Sequence, residues 1–159
     1  MRTVYPMRQK SNAVEALREY ELMVVRPEGL RIKRLRSDNG GEYLGEEFSD
    51  FCKENGIEQE FSAPYTAAQN GMSECSWRTI FEGARTSMIA AELPPKYWAE
   101  AVCTATHCLN RTPTRVLGGA TPHENWHGCA PRLNHLRVFG CTAYVFIESR
   151  YRKKLHDKA

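Results

Sequence analysis

The sequence lacks several patterns that would place it in familiar classes of protein. Its six cysteines form no Cys-x-x-Cys pair, and no run of 18 apolar residues or apolar leader occurs. A zinc-binding module, a secreted disulfide framework and a membrane span are therefore not expected. We predict an intracellular protein with reduced thiols that serve mainly as packing residues, and we assign no zinc site to its five histidines.

The net charge of +3 conceals an uneven distribution of charge along the chain. Residues 1–36 carry nine basic and four acidic side chains, residues 38–60 carry one and eight, and residues 132–159 carry seven and two. Such blocks indicate either a polyanion-binding surface around a separate acidic site or ordinary solvated helix faces. The length of 159 residues suits one domain, or one domain with part of another.

Strand-like and helix-like patterns alternate along the chain, which predicts an α/β layer fold. We expect a core over 1–112, a linker with a short helix over 113–135, and the start of a C-terminal β unit over 136–159, where aromatic and β-branched residues predict strands. The expected core begins with a strand over 2–10 and an amphipathic helix over 11–26, which Pro27 and Gly29 stop. The apolar positions of this helix are Val14, Leu17, Tyr20 and Val24. A strand ending near Ser37, a helix over 45–56, a strand over 57–63 and a loop over 64–71 follow, with Gly71 as a flexible joint, and then helices over about 70–92 and from the Pro94–Pro95 pair to about 110.

The stretch RLRSDNGGEY, residues 34–43, places Asp38 at the expected end of a strand and then breaks the backbone with two glycines. Glu74 falls in the first turns of the expected long helix, with 35 residues between the two acids. Carboxylates from a strand end and a helix can together hold Mg²⁺ or Mn²⁺, ions that support phosphoryl transfer. An Asx turn at Asp38 and a solvated Glu74 explain the same spacing equally simply.

Longer blocks carry a specific resemblance. LRSDNGGEY, APYTAAQNGMSE, RTIFEGARTSMIAAELPPKYWAEAVCTATHCLNRTP and TPHENWHGCAPRLNHLRVFGCTAYV occur in this order. Together they resemble the integrase segment of copia-type retrotransposon polyproteins, nearly end to end. The resemblance implies a ribonuclease H-like three-layer core with a triad of two Asp and one Glu, in which Asp38 matches the second Asp and Glu74 the Glu.

The resemblance also implies function, as DNA integration by metal-dependent strand transfer with Mg²⁺ or Mn²⁺ as cofactor. The implied partners are the element ends and host target DNA, with no membrane, in the nucleus or in cytoplasmic element particles, and a homo-oligomer is compatible with it. Several residues are candidates for DNA contact, and each group has a competing explanation. Residues 64–71 can form a plain surface loop, and Asn39 can cap a turn. Arg78 and Arg85 can lie on a solvated helix face paired with Glu82, and Arg152, Lys153 and Lys154 can belong to a functionless tail. The candidate DNA-binding residues are Asn39, Tyr65, Gln69, Asn70, Arg78, Arg85, Arg152, Lys153 and Lys154.

The first Asp of the triad lies, in the resembling family, on a strand before the one that matches residues 2–10. Asp50 and Asp157, the other two Asp residues, match no triad position. We therefore expect an N-terminally truncated core without its first strand, nearly inactive alone because triad members act as a unit. A host-retained, non-catalytic nucleic-acid or protein-binding module and an inert pseudogene product are the alternatives.

An apolar stripe also runs along the expected long helix. Its members recur at three- and four-residue spacing, which predicts core packing rather than ligand binding. They are Trp77, Ile80, Ala84 and Met88.

Overall fold

The computed structural model describes residues 1–62, 67–146, 148 and 150, without the side chains of 67–70 and 72. Short 3₁₀ turns at Lys10–Asn12, Arg26–Glu28, Pro95–Tyr97 and Arg115–Leu117 connect the main elements. None of the described helices is long and apolar enough to cross a membrane. The main elements are the helices α1 (Ala13–Tyr20), α2 (Gly41–Leu44), α3 (Glu46–Glu54), α4 (Ala67–Ala90), α5 (Trp98–Asn110) and α6 (Pro122–His127), and the strands β1 (Arg34–Ser37) and β2 (Glu58–Phe61).

The predicted first helix is present, but a π turn at Glu21–Val25 extends it. A π turn adds a residue to the helical repeat, and the buried side chain in this turn is consequently Val25, with 4% exposed, rather than Val24. Glu21 is also buried there, and its carboxylate accepts a 3.2 Å hydrogen bond from Arg26 Nη2. The predicted stop is confirmed by Gly29, whose φ of 70° is left-handed.

The two strands form a parallel pair in the register Arg34↔Glu58 to Ser37↔Phe61. Their exposed side chains form ion pairs across the ladder, Arg34 with Glu58 at 3.0 Å and Arg36 with Glu60 at 2.8 Å. The hydrogen bond from Arg36 lowers the pKa of Glu60. The basic character of this strand is therefore balanced by acids on its neighbour.

One hydrophobic cluster lies between α1 and α3, beside the sheet. Phe48, Phe51 and Cys52 from α3 are at most 4% exposed, and they meet Val14 of α1 and Ile57. The rings of Phe48 and Tyr43 make an edge-on contact at 5.3 Å. Of the apolar positions predicted for the first helix, Val14 is buried in this cluster and Leu17 packs against it.

A second cluster joins α4 to α5. Small residues allow the two helices to approach closely: Ala101 is fully buried, and a Cβ added at Gly83 would lie 3.6 Å from Ala105 Cβ. Ile80 and Ala84 of α4 complete this core, each 3% exposed. This packing fixes the direction of α4 and with it the position of Glu74.

The prediction of a regular strand over 2–10 is wrong, because residues 1–7 adopt no regular secondary structure. The segment is instead anchored by a side chain: Arg2 N donates to Asn110 Oδ1 at 2.9 Å, and Asn110 Nδ2 donates to Arg2 O at 2.6 Å. Val4 packs against the α4–α5 core. A strand needs a neighbouring strand to accept its hydrogen bonds, and an asparagine side chain takes that place here.

Strands predicted after residue 136 are absent from 136–146, the part of that run that the structure describes continuously. Phe139 packs against the α4–α5 core, and Gly140 turns the chain with a φ of 79° where a Cβ would overlap Ala91 Cβ. Packing contacts, rather than a ladder, therefore hold this segment. The domain boundaries at 112 and 135 stay predictions. The short helix expected between them is α6, which begins with a Thr121–Glu124 capping box.

The start of the long helix differs from its prediction too. Helix α4 already includes Ala67 and continues through Gly71, which was expected to be a loop joint. Ala67, Ala68 and Gln69 all have high helix propensity, which favours the longer helix.

Candidate metal and nucleic-acid site

Asp38 and Glu74 line the same cleft. It has a volume of about 700 Å³ and lies between the end of β1, the amino-terminal half of α4 and the anchored segment at residues 2–4. Both acids are exposed to solvent. The strand end and the helix therefore place on one cleft the two carboxylates that the sequence singled out. The other polar and aromatic residues of its lining include Ser37, Tyr43, Ser73, Ser76 and Trp77.

The backbone turn after Asp38 accounts for the glycine that follows. Gly40 N donates to Asp38 Oδ1 at 3.1 Å, which forms the Asx turn considered above. A Cβ at Gly40 would lie 2.9 Å from Glu42 Oε2 and 3.0 Å from Asp38 Oδ1, so a larger residue would disturb both acids. The turn and the cleft position are consequently compatible, since the turn orients the carboxylate.

Asn39 has a structural contact. Its Nδ2 donates to Ser62 O at 3.2 Å and thereby ties the end of β1 to the end of β2. The amide is thus engaged between the two strand ends rather than in the turn after Asp38, and its proposed contact with DNA stays a prediction.

Tyr43 reports on the electrostatics of the cleft. Burial, followed by the negative charges of Asp38 and Glu42, raises the pKa of its phenol. The neutral hydroxyl is therefore maintained beside the acidic turn, where it can donate a hydrogen bond to an anionic group.

A third metal ligand is not found among the described side chains, where no group of three His, Cys, Asp or Glu is placed to hold an ion. Asp50 lies on α3 outside the cleft lining and pairs with Lys53 at 3.3 Å. The two carboxylates still suit Mg²⁺, which commonly takes one or two protein carboxylates and completes its shell with waters and substrate phosphates.

Arg78 and Arg85 are exposed on α4, and neither forms an ion pair with another described residue. Pairing with Glu82, the alternative considered from sequence, is thus not seen. Arg78 follows Glu74 by one turn, and Arg85 lies about 16 Å from Glu74 along the axis at about 1.5 Å per residue. Both cations project from the side of the helix that carries Glu74.

Two curated proteins are similar to nearly the whole chain. The retrovirus-related Pol polyprotein from transposon TNT 1-94 of Nicotiana tabacum is 38% identical over 156 residues, and that from transposon RE2 of Arabidopsis thaliana is 35% identical over 156 residues. Each match covers 98% of this chain, so the shared sequence includes Asp38 and Glu74 within its span. The chain is homologous to one segment of the retrovirus-related Pol polyproteins.

The chain corresponds to one segment of these polyproteins, because it spans 12% of the length of the TNT 1-94 relative and 11% of the RE2 relative. No family model matches the sequence.

Solved structures identify the fold of this Pol segment. The catalytic core domain of BIV integrase aligns with 79% of this chain and 76% of its own at a TM-score of 0.58 and 20% identity. The HTLV-2 integrase catalytic core domain in complex with magnesium aligns with 76% of this chain and 72% of its own, at a TM-score of 0.58 and 18% identity. A chain of the simian T-cell lymphotropic virus intasome in complex with PP2A regulatory subunit B56 gamma aligns over 92% of this chain and 48% of its own. The TM-score is 0.61 and the identity is 19%. The predicted ribonuclease H-like fold is confirmed.

Several candidate residues of the Pol segment fall where the structure gives no description of them. The side chains of Gln69 and Asn70 are among these, although their backbone belongs to α4. Their proposed DNA contacts stay predictions. The others lie outside the described residues altogether: Tyr65, Arg152, Lys153 and Lys154.

The stretch 123–127 reads His-Glu-Asn-Trp-His, the spacing of zinc peptidases, and the sequence reasoning overlooked it. The structure uses these residues otherwise. Glu124 Oε2 accepts from Thr121 N at 2.7 Å in the capping box, and His127 Nδ1 lies 2.6 Å from Glu28 Oε1. The motif is thus part of a six-residue helix whose glutamate is engaged in its cap.

Trp77 does not belong to the core, contrary to the prediction from the apolar stripe. Ile80 and Ala84 are buried, but Trp77 is 47% exposed and lines the cleft beside Glu74. Five cysteines are also exposed, and Cys52 is the buried one. Sequence reasoning missed Tyr43 and the serines of the cleft as well, because their roles depend on contacts between distant segments.

Proposed function

We propose that this Pol segment holds a divalent cation between Asp38 and Glu74 and presents it to a DNA phosphate, as the integrase part of a longer polyprotein. The observation that supports this proposal is the shared cleft of the two carboxylates. Of its structural neighbours, the HTLV-2 integrase core is in complex with magnesium, and the simian T-cell lymphotropic virus assembly is an intasome.

The donor set fits Mg²⁺ or Mn²⁺. Carboxylate oxygens are hard ligands, and a cleft of about 700 Å³ leaves room for water and a phosphate beside them. When bound, the cation would supply stabilisation of negative charge on a reacting phosphate oxygen. Asp38, oriented by its turn, and Glu74, fixed by the α4–α5 packing, would hold it. A further anionic ligand is required for a complete two-metal centre.

The chain's own cations would position the nucleic acid. Arg78 and Arg85 extend from the helix that carries Glu74, and both are free of ion pairs with described residues. Guanidinium groups at this spacing can contact phosphates along a backbone and so bring one of them over the cleft. Neutral Tyr43 is positioned to donate a hydrogen bond to an oxygen of that phosphate.

Metal binding tests the proposal directly. Titration of Mn²⁺ into the 159-residue chain, followed by the loss of the free-ion electron paramagnetic resonance signal, should reveal a site. Asp38→Asn and Glu74→Gln should each weaken it by about tenfold or more, a change of about 1.4 kcal/mol. Asp50→Asn is the matched control, because Asp50 is outside the cleft lining. Equal Mn²⁺ affinity in all four proteins would contradict the proposal.

A non-catalytic nucleic-acid-binding module is the alternative to this proposal. Incubation with Mn²⁺ and duplex DNA distinguishes the two. Glu74-dependent nicking or strand transfer supports the integrase activity, and salt-sensitive binding without nicking supports the module.

A further inference from the structure

Three large aromatic side chains lie exposed next to the cleft. Trp77 and Phe81 on α4 are each 47% exposed, and Trp98 at the start of α5 is 48% exposed. The rings of Trp77 and Phe81 are stacked at a tilt of 31° with their centroids 5.6 Å apart. Aromatic surface concentrated in this way on a protein exterior usually marks a binding site.

These aromatics form one wall of a groove of about 310 Å³, and the segment 4–10 forms the other. We call it the aromatic groove. Val4 and Trp77 line both the groove and the cleft of Asp38 and Glu74, so the two are continuous. Its volume suits a single flat ring system with its attached sugar, and it is too small for a helix.

The charged residues that line the aromatic groove are both basic. Arg8 and Lys10 contribute to its lining, and no acid is found among its described lining residues. Lys10 Nζ lies 3.5 Å from Glu42 but keeps 84% of its side chain exposed, so this pair leaves it accessible. Phe81 is three residues after Arg78 and four before Arg85, so both guanidinium groups flank its ring on the helix surface.

We propose that the aromatic groove binds an unpaired nucleobase of a single-stranded DNA segment whose phosphates contact the flanking arginines. Every base has a π face that stacks on an aromatic ring, and a cationic rim tracks the backbone on either side. The inference rests on the proposed function, because it names the part of the DNA that lies beside the cleft. An acidic peptide would match the cations but would leave the stacked rings without a flat partner.

The experiment compares the affinities of the 159-residue chain for labelled oligothymidylate and for a blunt duplex of the same length, measured by fluorescence anisotropy without divalent ions. Wild type should prefer the single strand. Trp77→Leu, which keeps apolar bulk but removes the π face, and Phe81→Ala should each weaken single-strand binding by about tenfold, in line with the loss of one base–aromatic stack. Duplex affinity should be unchanged in Phe81→Ala, because Phe81 lies outside the lining of the cleft.

Tyr144→Ala is the control, since Tyr144 is an aromatic residue 79% exposed outside the groove lining. Thermal unfolding of each variant checks that the fold is kept. A wild type with no single-strand preference, or variants that bind the single strand as tightly as wild type, would overturn the inference. A change in the molar mass in solution of Trp77→Leu, without an effect on single-strand affinity, would overturn it too and assign the groove to self-association. None of these three results bears on the Mn²⁺ titration, so the failure of this inference and that of the metal proposal are distinguishable.

Discussion

Asn110 holds the wall shared by the cleft and the aromatic groove, and its removal should weaken the fold measurably. The residue is 6% exposed at the end of α5, and its side chain pairs with both backbone polar groups of Arg2. Replacing it with alanine removes a donor and an acceptor at once. The segment that begins at Arg2 then loses its anchoring hydrogen bonds to α5.

The magnitude follows from the two bonds, at 2.9 and 2.6 Å. A net contribution of roughly 0.5–1.5 kcal/mol for each gives about 1–3 kcal/mol of unfolding free energy for Asn110→Ala. Asn110→Asp should be at least as destabilising, because it keeps an acceptor for Arg2 N–H but turns a carboxylate oxygen toward Arg2 O. Local loosening of the segment should also weaken binding in the aromatic groove.

Urea unfolding monitored by tryptophan fluorescence measures the effect. Thr104→Ala on the same helix is the control, since its hydroxyl bonds only to Glu100 O one turn earlier, at 2.8 Å, and alanine has the higher helix propensity. An Asn110→Ala chain that unfolds at the same urea concentration as wild type would refute the anchoring role. So would a Thr104→Ala loss as large as that of Asn110→Ala.

Two further predictions concern the core and the pH dependence of stability. Phe48→Ala should lower the free energy of unfolding in urea by about 3–5 kcal/mol, because Phe48 is 2% exposed in the α1–α3 cluster. A loss under about 1 kcal/mol would mean that the neighbouring side chains repack to fill the cavity. Burial, followed by the charges of Arg111 and two other histidines, lowers the pKa of His107. As the pH falls, this histidine is therefore protonated in the unfolded chain at a higher pH than in the folded chain. The contribution of neutral His107 to the stability of the fold is thus complete above its ordinary pKa of 6.5 and declines as the pH falls below that value. His107→Gln should therefore make the fall of the melting temperature at low pH less steep. An equally steep fall in the variant would show that other groups cause it.

Local sequence patterns predicted the elements whose structure depends on their own residues. The helix ending at Gly29, the strand ending at Ser37 and the α3 helix follow from periodicity and stop signals, and all are present. The segments 2–10 and 136–146 have strand-like composition, but whether they become strands depends on a neighbour that local sequence does not specify. Asn110 and the α4–α5 core, from far away in sequence, determine their conformations instead.

Trp77 shows why the candidate site was only partly predictable. Its spacing to Ile80 and Ala84 places it on an apolar stripe, yet the stripe is wider than the contact with α5, and residues at its edge stay exposed. The spacing of Asp38 and Glu74 was readable because a strand end and a helix start are local features. The position of Tyr43 in the cleft could not be predicted in this way, since it depends on how α2 folds back beside the turn.

The cleft, the aromatic groove and the flanking cations are three parts of one surface, and α4 connects them. Glu74 and Arg78 are one turn apart, and Phe81 and Arg85 follow on the next turns, so a single rigid helix fixes the distance from carboxylate to cation to ring. The α4–α5 core holds that helix, and Asn110 of α5 holds the opposite wall at Arg2. A substitution in α5 can therefore change how the nucleic acid and the metal are positioned without touching either, and it should alter the single-strand affinity and the Mn²⁺ affinity together. Phe81→Ala, by contrast, should alter the first alone, because Phe81 lines the aromatic groove and not the cleft.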